Sequence, residues 1–376
     1  MSVETEVSER YAGGAKEVEA SLCCPVDYDV ELLKILPQEI IDKDYGCGDP
    51  SRYVQTGDCV LDLGSGGGKI CYMAAQLVGD KGSVIGIDMT DEMLALARKY
   101  QPEMAEKLGS DRVDFRKGYI QDLALDLNAL KEYQAKSDLD ETTDVEKIEA
   151  WKEKQKLEAP LVKGNSVDLV VSNCVLNLVA EQHRTQMINE IFRVLKPGGR
   201  VAISDIVSDE IVPQHLRDDP HLWSGCISGA FQEKAFLDAF IAAGFVAVAY
   251  DKWDQEPWQT VEDIEFRSVT ITAVKPEEIP LLDKGQAVIY KGPFAEVRDD
   301  LDNVFPRGER IAVSDRTFRY LMEGPVSESF IGISAADFPS DQKFCKAAGT
   351  LRPAKETKGG SHSGGSSSGT ESSGCC

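Results

Sequence analysis

The sequence predicts an α/β fold with a doubly wound, mostly parallel sheet, and three observations carry that expectation. From Cys59 onward, short runs rich in β-branched residues alternate with helical patterns, the signature of βαβ units. A glycine loop, Gly64-Ser65-Gly66-Gly67-Gly68, follows the first run and opens the first helix. Asp88 ends the second run, about 20 residues further on, where such sheets place a ligand-binding carboxylate.

Cys59 to Leu63 reads as the first strand and Lys69 to Leu77 as its helix; Ser83 to Asp88 and Asp91 to Tyr100 repeat the unit. Val113 to Lys117 and Val167 to Ser172 supply the third and fourth strands. A helix around Gln182 to Leu195 stops at Lys196-Pro197-Gly198-Gly199, a turn that cannot continue it, and Arg200 to Ile206 is the fifth strand.

Between the third and fourth strands, Lys131 to Lys156 interleaves Asp138, Asp140, Glu141, Asp144, Glu146, Glu149 and Glu153 with lysines. This pattern predicts a solvated helical insertion, with Trp151 as its anchor to the body. After Ile206 the composition shifts. Asp218-Asp219-Pro220 opens a segment holding Trp223, Ser224, Gly225, Cys226 and Ile227, and Glu233 to Ala243 is amphipathic, so a second module is expected there. Ala287-Val288-Ile289-Tyr290 and Ile311-Ala312-Val313 alternate as strands of a third, small module. Beyond Lys346 the chain turns Gly/Ser-rich, and Gly359 to Gly374 reads as a flexible tail.

Among 376 residues, 64 Asp and Glu face 41 Lys and Arg, a net charge of -23. Phosphate neutralisation is unfavourable on such a surface, which argues against a nucleic-acid partner. Met1 to Glu9 lacks the apolar stretch of a secretory signal, and no run approaches the length of a membrane span. A cytoplasmic protein with no membrane partner is expected. Its ten cysteines then read as reduced thiols rather than a disulfide scaffold.

Glycines in the loop permit positive φ and close approach of a ligand to a helix N-terminus, but alone they also admit a dinucleotide. The form Asp62-Leu63-Gly64-Ser65-Gly66-Gly67-Gly68 resembles motif I of class I methyltransferases. The resemblance implies S-adenosylmethionine, with Asp62 among its contacts, Gly64, Ser65, Gly66 and Gly68 near its methionine end and Asp88 and Met89 near its ribose. It also implies Tyr119, Ile120 and Gln121 near the adenine, and Asn173 among the cofactor contacts.

Four cysteines sit at turns of this fold: Cys47, Cys71, Cys174 and Cys226. Cys71 starts the helix after the glycine loop and Cys174 follows the fourth strand, so both thiols are expected to converge on the ligand crevice. A helix N-terminus is expected to favour the thiolate of Cys71. Thiolates select soft acceptors, and trivalent arsenic held by three of them keeps a lone pair for attack on an activated methyl group. Positioning then supplies most of the catalysis.

Tyr45-Gly46-Cys47-Gly48, Ser65-Gly66-Gly67-Gly68-Lys69-Ile70-Cys71-Tyr72, Ser172-Asn173-Cys174-Val175-Leu176-Asn177-Leu178 and Leu222-Trp223-Ser224-Gly225-Cys226 resemble the four cysteine motifs of arsenite methyltransferases. The similarity runs from about Leu33 to Ile333. It implies a Rossmann-like class I methyltransferase fold with a middle arsenic-binding module and a small C-terminal α+β module. Cys174, Cys226 and Cys71 would hold arsenic, and Cys47 and Cys71 would form a disulfide during turnover. Arsenite and methylarsenite would be the substrates, mono- and dimethylated arsenic the products with trimethylation open, thioredoxin or glutathione the reductant, and detoxification the role.

The expected division is 1–50 as a segment carrying Cys47, 51–206 as the methyltransferase domain with its insertion at about 124–160, 207–276 as the arsenic-binding module, 277–345 as the C-terminal module and 346–376 as the tail. Rival functions are methylation of a small organic acceptor and sequestration of metalloid without catalysis. The pairs Cys23-Cys24 and Cys375-Cys376 are either arsenic-relaying thiols or dispensable, Cys59 reads as a buried strand residue, and Cys345 has no assigned role. His183, His215, His221 and His362 lack the spacing of a zinc site.

Overall fold

In a computed structural model the described residues are 3–17, 19, 26–137, 144–277, 280–324, 326–335 and 342–358. Cys23-Cys24, Cys375-Cys376, His362, the tail from 359 and Asp138, Asp140 and Glu141 of the insertion lie outside the described residues. The chain divides into two compact units, Met1–Pro276 and Glu277–Cys376.

The first unit opens with helices α1 (Val3–Lys16), α2 (Val30–Leu33) and α3 (Gln38–Asp42). Then come β1 (Cys59–Leu63), α4 (Lys69–Leu77), β2 (Ser83–Asp88), α5 (Asp91–Lys99), α6 (Gln101–Leu108) and β3 (Val113–Lys117). The insertion forms α7 (Leu127–Ser137) and α8 (Val145–Glu158), followed by β4 (Val167–Asn173), α9 (Glu181–Val194) and β5 (Leu195–Ser208). The remainder is α10 (Gln214–Arg217), α11 (Pro220–Ser224), β6 (Phe231–Gln232), α12 (Glu233–Ala242), β7 (Val246–Trp253), β8 (Gln259–Val261) and β9 (Ile264–Val274).

These strands make one sheet in the order β3-β2-β1-β4-β5-β9-β7, with β6 on β5 and β8 on β9. β1 pairs in parallel with β2 and β4, β4 in parallel with β5, and β9 runs antiparallel to β5 and β7. The chain winds outward through β2 and β3, then returns to β4 beside β1. That reversal opens a crevice at the carboxyl ends of β1 and β4. Val60, Leu61, Leu63, Val170 and Val171 are fully buried because a parallel sheet is covered on both faces; each such side chain contributes about 1.5–3 kcal/mol.

Residues 207–276 do not form a separate module, since β6 to β9 extend the methyltransferase sheet. β5 also starts earlier than its pattern suggests. Leu195 pairs with Val167 and Arg200 with Leu169, so Lys196 to Gly199 interrupts the register, with Gly198 at φ 81°. In the insertion, the Trp151 ring stacks on Tyr133 at 4.8 Å, joining α8 to α7. The insertion is joined to the body by a 2.8 Å ion pair from Lys156 to Asp122.

The second unit carries β10 (Ala287–Tyr290), β11 (Glu296–Arg298), β12 (Val304–Pro306), β13 (Arg310–Ala312), α13 (Asp315–Glu323) and β14 (Phe330–Ile333). Three of them form the antiparallel sheet β13-β10-β14, and β11 and β12 form a ribbon. Val288, Tyr290, Phe305, Ile311, Leu321 and Phe330 are its core, and a buried Arg352–Asp283 pair at 2.6 Å joins two distant parts of this unit.

Candidate active site

The glycine loop turns at Gly64, Gly66 and Gly68, with φ of 69°, 51° and 88°, values that favour glycine. Asp88 braces it: its Oδ2 accepts from Gly66 N at 2.9 Å and its Oδ1 from Thr90 N at 2.8 Å. The loop borders a pocket of about 960 Å³, part of it open to solvent, whose lining includes Asp62, Ser65, Asp88, Met89, Ile120, Gln121, Asn173 and Cys174. Gly68 and Tyr119 stand outside that lining. Gly68 caps α4 where a Cβ would meet Phe115 at 2.8 Å, and Tyr119 makes a bridge to Asp122.

Asp62 is almost completely buried, and burial pushes its carboxyl up to about 7 against a lowering hydrogen bond from Cys71. Burial also raises Asp88, opposed by its N–H donors. The buried Ser65 Oγ has no hydrogen-bond partner among the described residues. Among the described residues neither carboxyl has a cation partner, and two such carboxyls beside an orphaned hydroxyl fit a ligand bearing an ammonium and ribose hydroxyls, which S-adenosylmethionine presents.

The Cys47 loop is fastened to the end of β4 by Asn173. Its Oδ1 accepts from Cys47 N at 2.9 Å and Gly48 N at 3.0 Å, while its Nδ2 donates to Gly48 O at 2.8 Å and to the Tyr28 hydroxyl at 3.1 Å. The approach is so close that a Cβ at Gly46 would lie 2.0 Å from Asn173 Nδ2. Lys69 holds the same segment through Asp44 at 3.0 Å and lies over the Tyr28 ring at 3.3 Å.

Cys174 and Cys226 both adopt left-handed backbone, φ 63° and 62°, which is uncommon outside glycine. The Cys226 thiol donates to the Cys174 carbonyl at 3.3 Å. The sulfurs of Cys47 and Cys174 and a carboxylate oxygen of Asp205 lie within 4.8 Å of one another. Cys47, Cys174 and Cys226 share one buried apolar cluster with Val7, Ile206, Trp223, Ile227 and Phe266.

Cys71 does not join them. It packs with Tyr72, Val84 and Phe115 in a different cluster, and its Sγ donates to Asp62 Oδ2 at 3.2 Å. Its thiol is raised well above the ordinary value, first by complete burial and then by the Asp62 charge. Burial and the Asp62 charge therefore oppose the thiolate expected at a helix N-terminus. Cys59 is half-buried in β1 and Cys345 is exposed.

Two further contributors were not evident from the motifs. Asp205 is fully buried in β5, a charge within Val201-Ala202-Ile203-Ser204-Asp205-Ile206-Val207, and that interruption of an apolar run was the available signal. Burial pushes its carboxyl up to about 6, against backbone donors that lower it. Tyr11 of α1 was the other, one aromatic in a polar segment. Its ring meets Tyr45 at 6.0 Å, and its pKa is raised by burial and then by the neighbouring Cys226 and Cys174. Neighbouring Arg10 donates to Ser224 Oγ at 2.7 Å and His221 O at 2.9 Å, docking α1 beside α11.

A sheet switching direction beside a glycine loop, with a carboxylate-lined pocket at the switch, defines a class I S-adenosylmethionine-dependent methyltransferase. A methyltransferase-domain family matches residues 55–244, and a domain of unknown function matches 277–362. The chain is 34% identical over 290 residues to the arsenite methyltransferase of Aquipseudomonas alcaligenes, covering 74% of this chain and 73% of that one. To the human arsenite methyltransferase it is 30% identical over 313 residues, 80% of this chain and 74% of the relative. Among solved structures it is similar to an arsenic(III) S-adenosylmethionine methyltransferase from Chlamydomonas reinhardtii, with a TM-score of 0.56, 28% identity, and coverage of 84% of this chain and 98% of that one. The chain belongs to the arsenite methyltransferase family, and it is an enzyme that transfers a methyl group. Among the described residues, no helix is long and apolar enough to cross a membrane.

Proposed function

We propose that this enzyme methylates arsenite to mono- and dimethylated arsenic while the metalloid is held by Cys47, Cys174 and Cys226. The observation that carries the reading is the closeness of the Cys47 and Cys174 sulfurs, within 4.8 Å, in the buried cluster that also holds Cys226, with Cys174 lining the cofactor pocket. Each thiol replaces one hydroxyl of arsenite with release of water, leaving arsenic three-coordinate with its lone pair available. The bound cofactor supplies an activated methyl group. Asp62, Ser65 and Asp88 bind and orient, Asn173 holds the Cys47 loop, and Val7, Tyr11 and Trp223 exclude water.

Cys71 is left out of the ligand set and out of a disulfide with Cys47, because it packs in another cluster. Methyl transfer leaves arsenic pentavalent. Two site thiols return it to the trivalent state by giving up two electrons as a disulfide, a role suited to Cys47 and Cys174, whose sulfurs lie within 4.8 Å. Thioredoxin or glutathione then reduces the pair in the cytoplasm, and the outcome is arsenic detoxification.

The test is arsenic speciation over time with purified protein, S-adenosylmethionine and a thiol reductant. Cys174→Ser and Cys226→Ser are each expected to abolish methylated products. Full activity in either variant overturns the reading.

A further inference from the structure

Asp205 has no part in the binding roles above, yet it reaches the Cys47–Cys174 edge of the thiol site. One of its oxygens lies within 4.8 Å of both the Cys47 and Cys174 sulfurs. Its two oxygens are held by four N–H donors: Leu176 N at 2.9 Å, Asn177 N at 3.4 Å, Asn177 Nδ2 at 2.7 Å and its neighbour Ile206 N at 2.8 Å. Burial opposes the ionised carboxylate and raises its pKa to about 6, while those donors and the positive charge of Arg184 favour ionisation and hold the value below neutrality. The same donors prevent the carboxylate from swinging onto arsenic, for which a hard oxygen is in any case a poor ligand beside thiolates. What it brings to the site is a fixed negative charge in surroundings that screen it little.

That charge matters because of how charge moves in the reaction, and the argument rests on the arsenic-holding thiols proposed above. Arsenic held by three thiolates is neutral. Its lone pair forms the bond to the methyl carbon, the carbon–sulfur bond breaks with its electron pair remaining on the departing sulfur, and one unit of positive charge passes from that sulfur to arsenic. No proton, oxidant or further reactant is needed for this step. A preorganised anion beside arsenic therefore stabilises the transition state more than the bound ground state, the difference that raises kcat.

We infer that Asp205 is the counter-charge for the arsenic cation formed during methyl transfer, held by its N–H donors at the Cys47–Cys174 edge of the site.

Asp205→Asn in the full chain tests this, because it removes the charge and keeps the shape. Initial-rate kinetics should show kcat lowered about a hundredfold. Arsenite affinity, followed by tryptophan fluorescence, and S-adenosylmethionine affinity, measured by calorimetry, should each stay within about threefold of wild type, a split that simple loosening of the site would not produce. Asp205→Glu, which restores the charge, should recover part of kcat. If Asp205→Asn does not fold, Asp205→Glu and Asp205→Gln, equal in length and different in charge, make the same comparison. An unchanged kcat, or a kcat loss matched by loss of arsenite affinity, overturns the inference. A wild-type protein that binds arsenite without methylating it overturns the proposed function, and this inference with it.

Discussion

Cys71 donates its thiol to Asp62 across 3.2 Å, which ties it to a carboxyl bordering the cofactor pocket rather than to the other three motif cysteines. Cys71→Ser keeps that donor. It is expected to retain arsenite methylation within about threefold of wild type and to lose about 1–3 kcal/mol of stability, because a hydroxyl replaces sulfur among apolar neighbours. Cys47→Ser is expected to abolish methylation. Product speciation on the two variants decides, and a folded but inactive Cys71→Ser returns Cys71 to the arsenic site.

Asp62 makes the ligand-free protein sensitive to pH. Its folded value of about 7 lies above the unfolded value of about 3.9, so the folded state holds the proton more tightly. The stability this confers is complete below about pH 4 and is lost as pH rises through about 7. Asp62→Asn should remove that loss, making the ligand-free variant about 2–4 kcal/mol more stable than wild type near pH 8, while S-adenosylmethionine binding weakens. Denaturant titrations at several pH values measure the first effect and calorimetry the second. Equal pH slopes for the two proteins would contradict the assignment.

Gly46 is predicted to be irreplaceable for a steric reason. The alanine Cβ would sit 2.0 Å from the Asn173 amide that clamps Cys47 and Gly48, so Gly46→Ala must push the loop off β4. A stability loss of about 1–3 kcal/mol is expected, together with loss of high-affinity arsenite binding. Wild-type arsenite affinity in Gly46→Ala would show that the clamp is unnecessary.

Arg10→Ala addresses α1, which borders both the thiols and the cofactor pocket through Val7 and Tyr11. Losing the bonds to Ser224 and His221 should cost about 1.5–3 kcal/mol of docking, so the KM values for arsenite and S-adenosylmethionine should rise together by roughly tenfold. A rise in only one KM would mean that α1 serves a single ligand.

The first five strands could be read because buried parallel strands are short apolar runs, and the glycine loop fell directly after the first of them. Residues 207–276 read as a module of their own because the antiparallel addition of β7 to β9 to an existing sheet leaves no local mark in the sequence. Cys71 shows the limit of placing residues by element ends. It is the third residue of α4, and the turn of the helix sends its sulfur toward Gly86 and Asp62. α1 was illegible for a different reason: its sequence is mostly polar, and only its seating reveals which few side chains are covered.

The left-handed backbone at Cys174 and Cys226 bears on affinity in a way the contacts alone do not express. Such conformations cost about 1–3 kcal/mol each and persist only where surrounding structure enforces them. A flexible thiol peptide must order its chain when it captures a soft ion, so much of each sulfur–arsenic bond is spent on loss of conformational freedom. Here that ordering belongs to folding. The proposed three-thiol site is therefore expected to discriminate by shape, favouring ions that take three thiolates over thiophiles that demand linear two-thiolate coordination.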